Sequence, residues 1–223
     1  MKLNIPFNSP NIFNNEKSNI NKVSILNSYS ANGYFTKKCE MFLKQKLKTK
    51  EALLVNSCTS ALEMCAILLN IKKGDQIIMP SFTFVSSANA FVLRGGVPVF
   101  VDIDPETCNI DVNKIKSSIN KKTKAILVVH YAGISCDMES IQRIAKKHKL
   151  FVIEDMAHAI LSSYKKKPLG SIGDLATLSF HETKNIHCGE GGALLINNPT
   201  FINRSKILRD KGTNRDLFNK KIV

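Results

Sequence analysis

No run of about 18 apolar residues occurs in the 223-residue sequence, so no segment is built to cross a membrane as a helix. The opening stretch MKLNIPFNSPNIFNN has one lysine and no apolar centre, and a secretory signal is therefore not expected. The six cysteines (Cys39, Cys58, Cys65, Cys108, Cys136 and Cys188) include no CxxC pair and no metal-finger spacing. With no signal segment, they are expected as reduced thiols. Repeats and low-complexity tracts are absent, and the composition excludes a collagen, a coiled coil and a disordered acidic tail. Acidic residues are few: 18 Asp and Glu stand against 32 Lys and Arg, a formal net charge of +14.

A basic excess of this size points to polyanions such as nucleic acid, anionic lipid or phosphorylated metabolites. Its distribution argues against the first two. The basic residues fall in short clusters (Lys37-Lys38, Lys72-Lys73, Lys121-Lys122, Lys146-Lys147, Lys165 to Lys167) along a chain rich in Asn, Lys and Ile. No basic arm, helix-turn-helix, zinc finger or RNP signature accompanies them. Solvated faces are the simpler reading, with neither nucleic acid nor membrane as partner. The expected compartment is the cytoplasm.

At 43% hydrophobic residues, the length allows one large domain, or a domain with an appendage. A domain of this size buries roughly 70% of its unfolded surface and needs no metal or disulfide to fold. Short apolar runs at 52–56, 76–80, 97–102, 124–130, 150–155, 175–180 and 192–197 read as strands. Helical patterns lie between them at 58–70, 83–95, 111–119 and 137–149. Near-continuous apolar strands alternating with helices predict an α/β fold, a mostly parallel sheet with helices on both faces. Residues 1–33 are polar, Asn-rich and without a clear period, which predicts an arm or loops before a helix at Tyr34 to Leu47. Residues 34–210 form the expected large domain, and 211–223 a tail that loses its pattern.

Ligands of open α/β sheets bind at the carboxyl ends of strands. Those ends carry Asn56 to Ser60, Pro80 to Phe84, His130 to Gly133, Glu154 to His158 and Ser179 to Asn185. Ser57 to Ser60 opens a helix, which suits either a phosphate or an ordinary serine cap. Asp155 closes a strongly apolar strand, as a helix cap or as partner of a buried cation. Lys184 is either a snorkelling surface lysine or an imine-forming one. Cys58 and Cys65 read as small core residues. The sequence neighbours His187 and Cys188 are not taken as a nucleophile–base pair.

Together these residues match the needs of pyridoxal 5′-phosphate: an amine for its aldehyde, a carboxylate for its ring nitrogen, a phosphate cradle and an apolar group over the ring. Lys184, Asp155, the Ser57 to Ser60 helix start and Phe84 are candidates for the four parts. Metal is not expected.

With these residues in view, the sequence resembles the DegT/DnrJ/EryC1/StrS sugar aminotransferases, fold-type I pyridoxal-phosphate enzymes. The likeness rests on PFNSP (6–10), NSCTSALEM (56–64), GDQIIMPSFTFVSSANAFVLRGG (74–96), DIDPETCNID (102–111), HYAG (130–133), VIEDMAH (152–158), SFHETKN (179–185) and GEGGALL (189–195). It implies that Lys184 binds the cofactor and moves the proton, that Asp155 pairs with the ring nitrogen, and that His158 lies near the ring hydroxyl. It further implies that Phe84 stacks on the ring and that Thr59, Ser60 and Ser179 hold the phosphate. The implied substrates are L-glutamate and a nucleotide sugar. SFHETKN, HYAG and KGTNR (211–215) are nearest the branch that converts dTDP-4-dehydro-6-deoxy-D-glucose to dTDP-4-amino-4,6-dideoxy-D-galactose for enterobacterial common antigen. A lysine at 184, where a dehydratase branch has histidine, implies transamination. The family is typically a homodimer and extends into a small further domain. On that comparison the tail is expected to be cut short, leaving either a half-enzyme completed by a separate C-terminal polypeptide or a non-catalytic remnant.

Overall fold

The computed structural model describes residues 5–6, 8–13, 15–27, 29, 31–215, 218 and 221–222. Parts of the expected arm and tail, Phe7 of PFNSP among them, lie outside the described residues. The seven expected strands all form: β1 (Glu51–Val55), β2 (Gln76–Pro80), β3 (Val97–Val101), β4 (Thr123–Val129), β5 (Phe151–Asp155), β8 (Leu175–Ser179) and β9 (Gly192–Ile196). They join in one sheet of order β1-β9-β8-β5-β4-β2-β3. Pairings from β3 to β8 are parallel, whereas β9 runs antiparallel to both β8 and β1. The central strands β8 and β9 are buried along their whole length, as two-sided cover requires, and the edge strand β3 is largely exposed.

Alternation along the strands divides the core in two. Ile77, Met79, Ala125, Leu127, Ile153 and Leu194 pack beneath α3 (Cys58–Leu68) and α4 (Val85–Val92), with Leu62, Cys65 and Phe91. Ile78, Ile126, Val128, Val152, Ala176 and Leu195 face α2 (Tyr34–Leu47), α5 (Val112–Ser118) and α6 (Met138–His148), meeting Leu43, Ile115, Met138 and Ile141. Serine and aspartate caps set the starts: Ser57 accepts from the Ser60 amide, Asp111 from Asn113 and Asp137 from Ser140. Helix α7 (Ile202–Arg209) tethers to α2 through the Arg209–Glu40 ion pair at 2.6 Å.

Three details differ from the sequence expectation. The N-terminal arm contains a helix, α1 (Asn15–Ile25), which buries none of its residues; Ile20 and Ile25 stay exposed, so no apolar stripe marked it in advance. Helix α4 starts at Val85 rather than Thr83, with Phe84 held extended at its N-cap. A two-residue hairpin, β6 (Ser163–Tyr164) and β7 (Lys167–Pro168), turns on Lys165 and Lys166, both at left-handed φ, where Asn-Gly would be the recognisable signal. Among the described residues no helix is long and apolar enough to cross a membrane.

Candidate active site

A cavity of about 600 Å³ opens at the carboxyl end of the sheet. Its wall draws on the ends of β2 (Phe82, Thr83), β4 (Tyr131), β5 (Asp155) and β8 (Ser179), the start of α3 (Ser57 to Thr59) and the β8–β9 loop (Lys184, Gly191). Thr59, Phe84, Asp155, His158, Ser179 and Lys184 are thus brought to one space. Ser60, also expected in the phosphate cradle, does not line the cavity. Its hydroxyl lies 3.2 Å from Ser57 Oγ, and its amide donates to the same oxygen at 3.1 Å. Ser60 therefore serves the helix cap.

The cap shapes what remains at the helix start. The first N–H groups of any helix lack intrahelical partners. Ser57 satisfies that of Ser60, and the amides of Cys58 and Thr59 are left at the positive end of the helix dipole. Thr59 Oγ1 donates to Ser86 Oγ at 2.9 Å, so its one proton is engaged within the protein. Gly192 opposes this turn so closely that an added Cβ would lie 2.3 Å from the Ser57 carbonyl carbon. Any side chain there would collide with the backbone of the turn.

Asp155 is buried at the floor. Ala157 N–H donates to Oδ1 at 3.0 Å and Ser87 Oγ to Oδ2 at 2.9 Å. Burial pushes its carboxyl above the ordinary range; the two hydrogen bonds and nearby His158 and His130 oppose that rise only in part. No Lys or Arg pairs with it among the described residues. His158 moves the other way. Burial and the charge of Lys184 hold its imidazole below the usual value, while Asp155 pulls upward. Its Nδ1 accepts from the Ala132 amide at 3.5 Å, and its ring stands edge-on to Tyr131 at 5.4 Å.

Lys184 is half-buried on the β8–β9 loop. Its amide donates to the His181 carbonyl at 2.9 Å, and Phe180 N–H to the Gly191 carbonyl at 2.8 Å closes the loop's base. Thr183 Oγ1 bonds His181 Nδ1 at 2.8 Å, and His181 Nε2 meets Glu190 at 3.4 Å. Phe84 is 74% exposed with its ring in the cavity wall.

Cys58 corrects an expectation. Unlike the fully buried Cys65, it lines the cavity, with Sγ donating to Thr177 Oγ1 at 3.4 Å. Burial and the neighbouring Asp155 push its thiol well above the usual range, so it remains protonated and inert. His187 and Cys188 engage separate partners, the Asn11 carbonyl and the Glu190 carbonyl, in line with setting them aside as a pair.

Sequence reasoning gave Glu154 no role. Its carboxylate is fully buried and accepts from the amides of Gly170 (2.9 Å), Ile172 (2.9 Å) and Gly173 (2.6 Å). His130 Nε2 completes the set at 3.1 Å; the Cys136 amide on Nδ1 places the imidazole proton on Nε2. This network pins the segment leading into β8. The acid at 154, one residue before the candidate acid at 155, was the available signal.

Residues 10–222 match the sequence profile of the DegT/DnrJ/EryC1/StrS aminotransferase family. The chain belongs to this family. Among curated DegT-family relatives, the spore coat polysaccharide biosynthesis protein SpsC of Bacillus subtilis is 42% identical over 77% of this chain and 44% of its own length. GDP-perosamine synthase of Escherichia coli O157:H7 is 38% identical over 93% of this chain and 57% of its own. The solved sugar aminotransferase Spr1654 of Streptococcus pneumoniae, in its PLP form, superposes with a TM-score of 0.85 at 31% identity, over 92% of this chain and 57% of that one. The chain thus spans about half the length of the curated relatives it matches. DegT-family aminotransferases of this kind use pyridoxal phosphate. The donor set fits that group: a buried carboxyl without a cationic partner, an amine in the same cavity, and a glycine-walled helix start suited to a phosphate.

Proposed function

We propose that this chain carries the cofactor chemistry of a nucleotide-sugar transaminase, moving an amino group from L-glutamate to the C4 ketone of a 4-keto-6-deoxy sugar. The observation that carries the reading is the meeting of Lys184 and buried Asp155 in one cavity. When bound, pyridoxal phosphate supplies an aldehyde to capture amines and a protonated ring that accepts electrons from the adjacent C–H bond. Asp155, as a carboxylate, keeps the ring nitrogen protonated. Lys184 Nζ would hold the cofactor and, when free of it, would serve as the base that moves the donor's α-proton. Burial and Lys184 hold the His158 imidazole below its usual range, and with Nδ1 accepting from the Ala132 amide, its Nε2–H would donate to the ring oxygen. The amides of Cys58 and Thr59 hold the phosphate with Thr59 Oγ1 and Ser179, while Phe84 covers the ring. Phe82, Phe84, Val85 and Ile186, exposed and apolar around this site, support a homodimer as the working unit.

The motif wording favours dTDP-4-dehydro-6-deoxy-D-glucose as acceptor and dTDP-4-amino-4,6-dideoxy-D-galactose as product, for a cell-surface polysaccharide such as enterobacterial common antigen. Relatives named GDP-perosamine synthase in three bacteria make the nucleotide the variable to test. In the decisive experiment, pyridoxal phosphate is titrated into the purified protein, followed by borohydride and peptide mapping. The expected result is a visible absorption band and a cofactor fixed on Lys184, both lost in Lys184→Ala. A cofactor fixed on another lysine overturns the assignment. Release of 2-oxoglutarate from L-glutamate with a dTDP-linked rather than a GDP-linked keto sugar decides the acceptor.

A further inference from the structure

We propose that Thr83 and Ser87 form a directional hydroxyl relay into Asp155, with Ser87 acting as a positioning residue that fixes the carboxylate against the ring nitrogen of the cofactor. The proposal rests on the assignment of Asp155 made above.

Two distances define the relay. Thr83 Oγ1 lies 2.8 Å from Ser87 Oγ, and Ser87 Oγ lies 2.9 Å from Asp155 Oδ2. Ser87 is 1% exposed, and both it and Thr83 line the cavity. A carboxylate only accepts hydrogen bonds, so the single Ser87 proton is committed to Asp155. The Thr83 proton must then point to Ser87. The polarity therefore runs one way, from cavity wall to buried acid. Successive donors in such a chain polarise one another, which strengthens the terminal bond.

This bond does more than satisfy a buried serine. With Ala157 N–H on Oδ1 and Ser87 on Oδ2, each carboxylate oxygen is held by one neutral donor, and the group cannot rotate without losing both. Each oxygen keeps further acceptor capacity, and Asp155 lines the cavity, where a ring N–H would complete the set. Both donors also favour the charged carboxylate, opposing the desolvation that favours its protonated form. The titratable groups around it are Cys58 and Cys65 from α3, His130 at the end of β4, His158 after β5 and Lys184 on the β8–β9 loop. None supplies a direct hydrogen bond to Asp155. That leaves the relay as the only side-chain donor to Asp155 among the described residues.

The test compares pyridoxal phosphate with its analogue bearing carbon in place of the ring nitrogen, in wild-type protein and in Ser87→Ala, Ser87→Thr, Thr83→Val and Asp155→Asn. Equilibrium dissociation constants are read from absorbance. A hydrogen bond to a charged group is worth about 1.5–3 kcal/mol, so Ser87→Ala should weaken binding of pyridoxal phosphate about tenfold or more. It should leave binding of the analogue unchanged. Thr83→Val should show the same selective loss to a smaller extent, and Ser87→Thr, which keeps the hydroxyl, should restore affinity. In cofactor-free protein, the carboxyl resonance that disappears in Asp155→Asn should titrate at higher pH in Ser87→Ala. Equal weakening of both ligands, or no weakening, overturns the relay; if Ser87→Ala does not fold, Thr83→Val decides by the same comparison. Unchanged affinity in Asp155→Asn would instead overturn the placement of Asp155 against the ring, a result separable from failure of the relay.

Discussion

The surroundings of Asp155 disfavour its charged form, and this has a measurable cost. Its folded-state pKa lies above that of the unfolded chain, so between the two values the native protein binds more protons. Stability contributed by this group is complete at low pH and declines as pH rises through that window. Cofactor-free protein should therefore become less stable as pH rises above the ordinary carboxylate range. Asp155→Asn, which carries no charge, should remove that part of the slope and melt higher at neutral pH, by about 2–4 °C for each kcal/mol recovered. Thermal melts across pH check this, and a variant melting lower at neutral pH would contradict it. The same substitution should cost cofactor affinity, the trade-off expected where a site stores an unfavourable charge. Of these residues, Lys184, Asp155, His158, Phe84, Thr59 and Ser179 were legible in the sequence because polar groups at strand ends stand out against apolar strand bodies. Ser60 sits on the cap oxygen of Ser57 instead, which the sequence could not distinguish, because a serine in a helix's first turn looks the same whether it faces a ligand or the cap. Ser87 was not legible, since its partner lies far away in the chain, and Glu154 showed only as an acid beside Asp155.

At the scale of elements, the contact between β9 and the start of α3 sets the cradle. Gly192→Ala would drive a Cβ to 2.5 Å from the Cys58 amide nitrogen. Overpacking of this kind costs about 1–3 kcal/mol, and here it would also tilt the amides of Cys58 and Thr59 at the helix start, which we propose hold the phosphate. Cofactor affinity should fall more than stability does, a ratio measurable by binding and denaturation on the same sample. Strand and helix positions were readable because each strand is either a continuous apolar run or the edge of one. The antiparallel direction of β9 was not, because a buried strand has the same composition in either direction. Helix α1 escaped notice for the opposite reason: with no face to bury, it left no periodic mark.

For the whole molecule, the cofactor should behave as part of the fold. A ligand bound only by the native state at 100 times its dissociation constant adds about 2.7 kcal/mol. For a chain of this size that corresponds to a rise in Tm of about 5–11 °C. The rise should vanish in Lys184→Ala and shrink in Asp155→Asn; a shift equal in all three proteins would place the ligand elsewhere. The net charge of +14 is spread over the surface, with ion pairs such as Lys114–Asp102 and Lys206–Glu51 among it, and is no guide to the cavity. What organises the molecule is the sheet, whose strand ends gather the cavity residues from β2, β4, β5 and β8.

Glu154 and Asp155 stand back to back on the last two positions of β5, pointing to opposite sides of the sheet. The first is saturated by the protein's own amides and imidazole; the second is left with capacity for a guest. Their separation depends on the pairing of Asp155 with Val129 and with Thr177 across the neighbouring strands. A slip of one residue would exchange the two acids, presenting the longer side chain to the guest and stranding the amides of Gly170, Ile172 and Gly173 without an acceptor. The anchoring of the 170–173 segment thus acts as proofreading for the site, because a chain that docks it correctly has also aimed the right acid into the cavity.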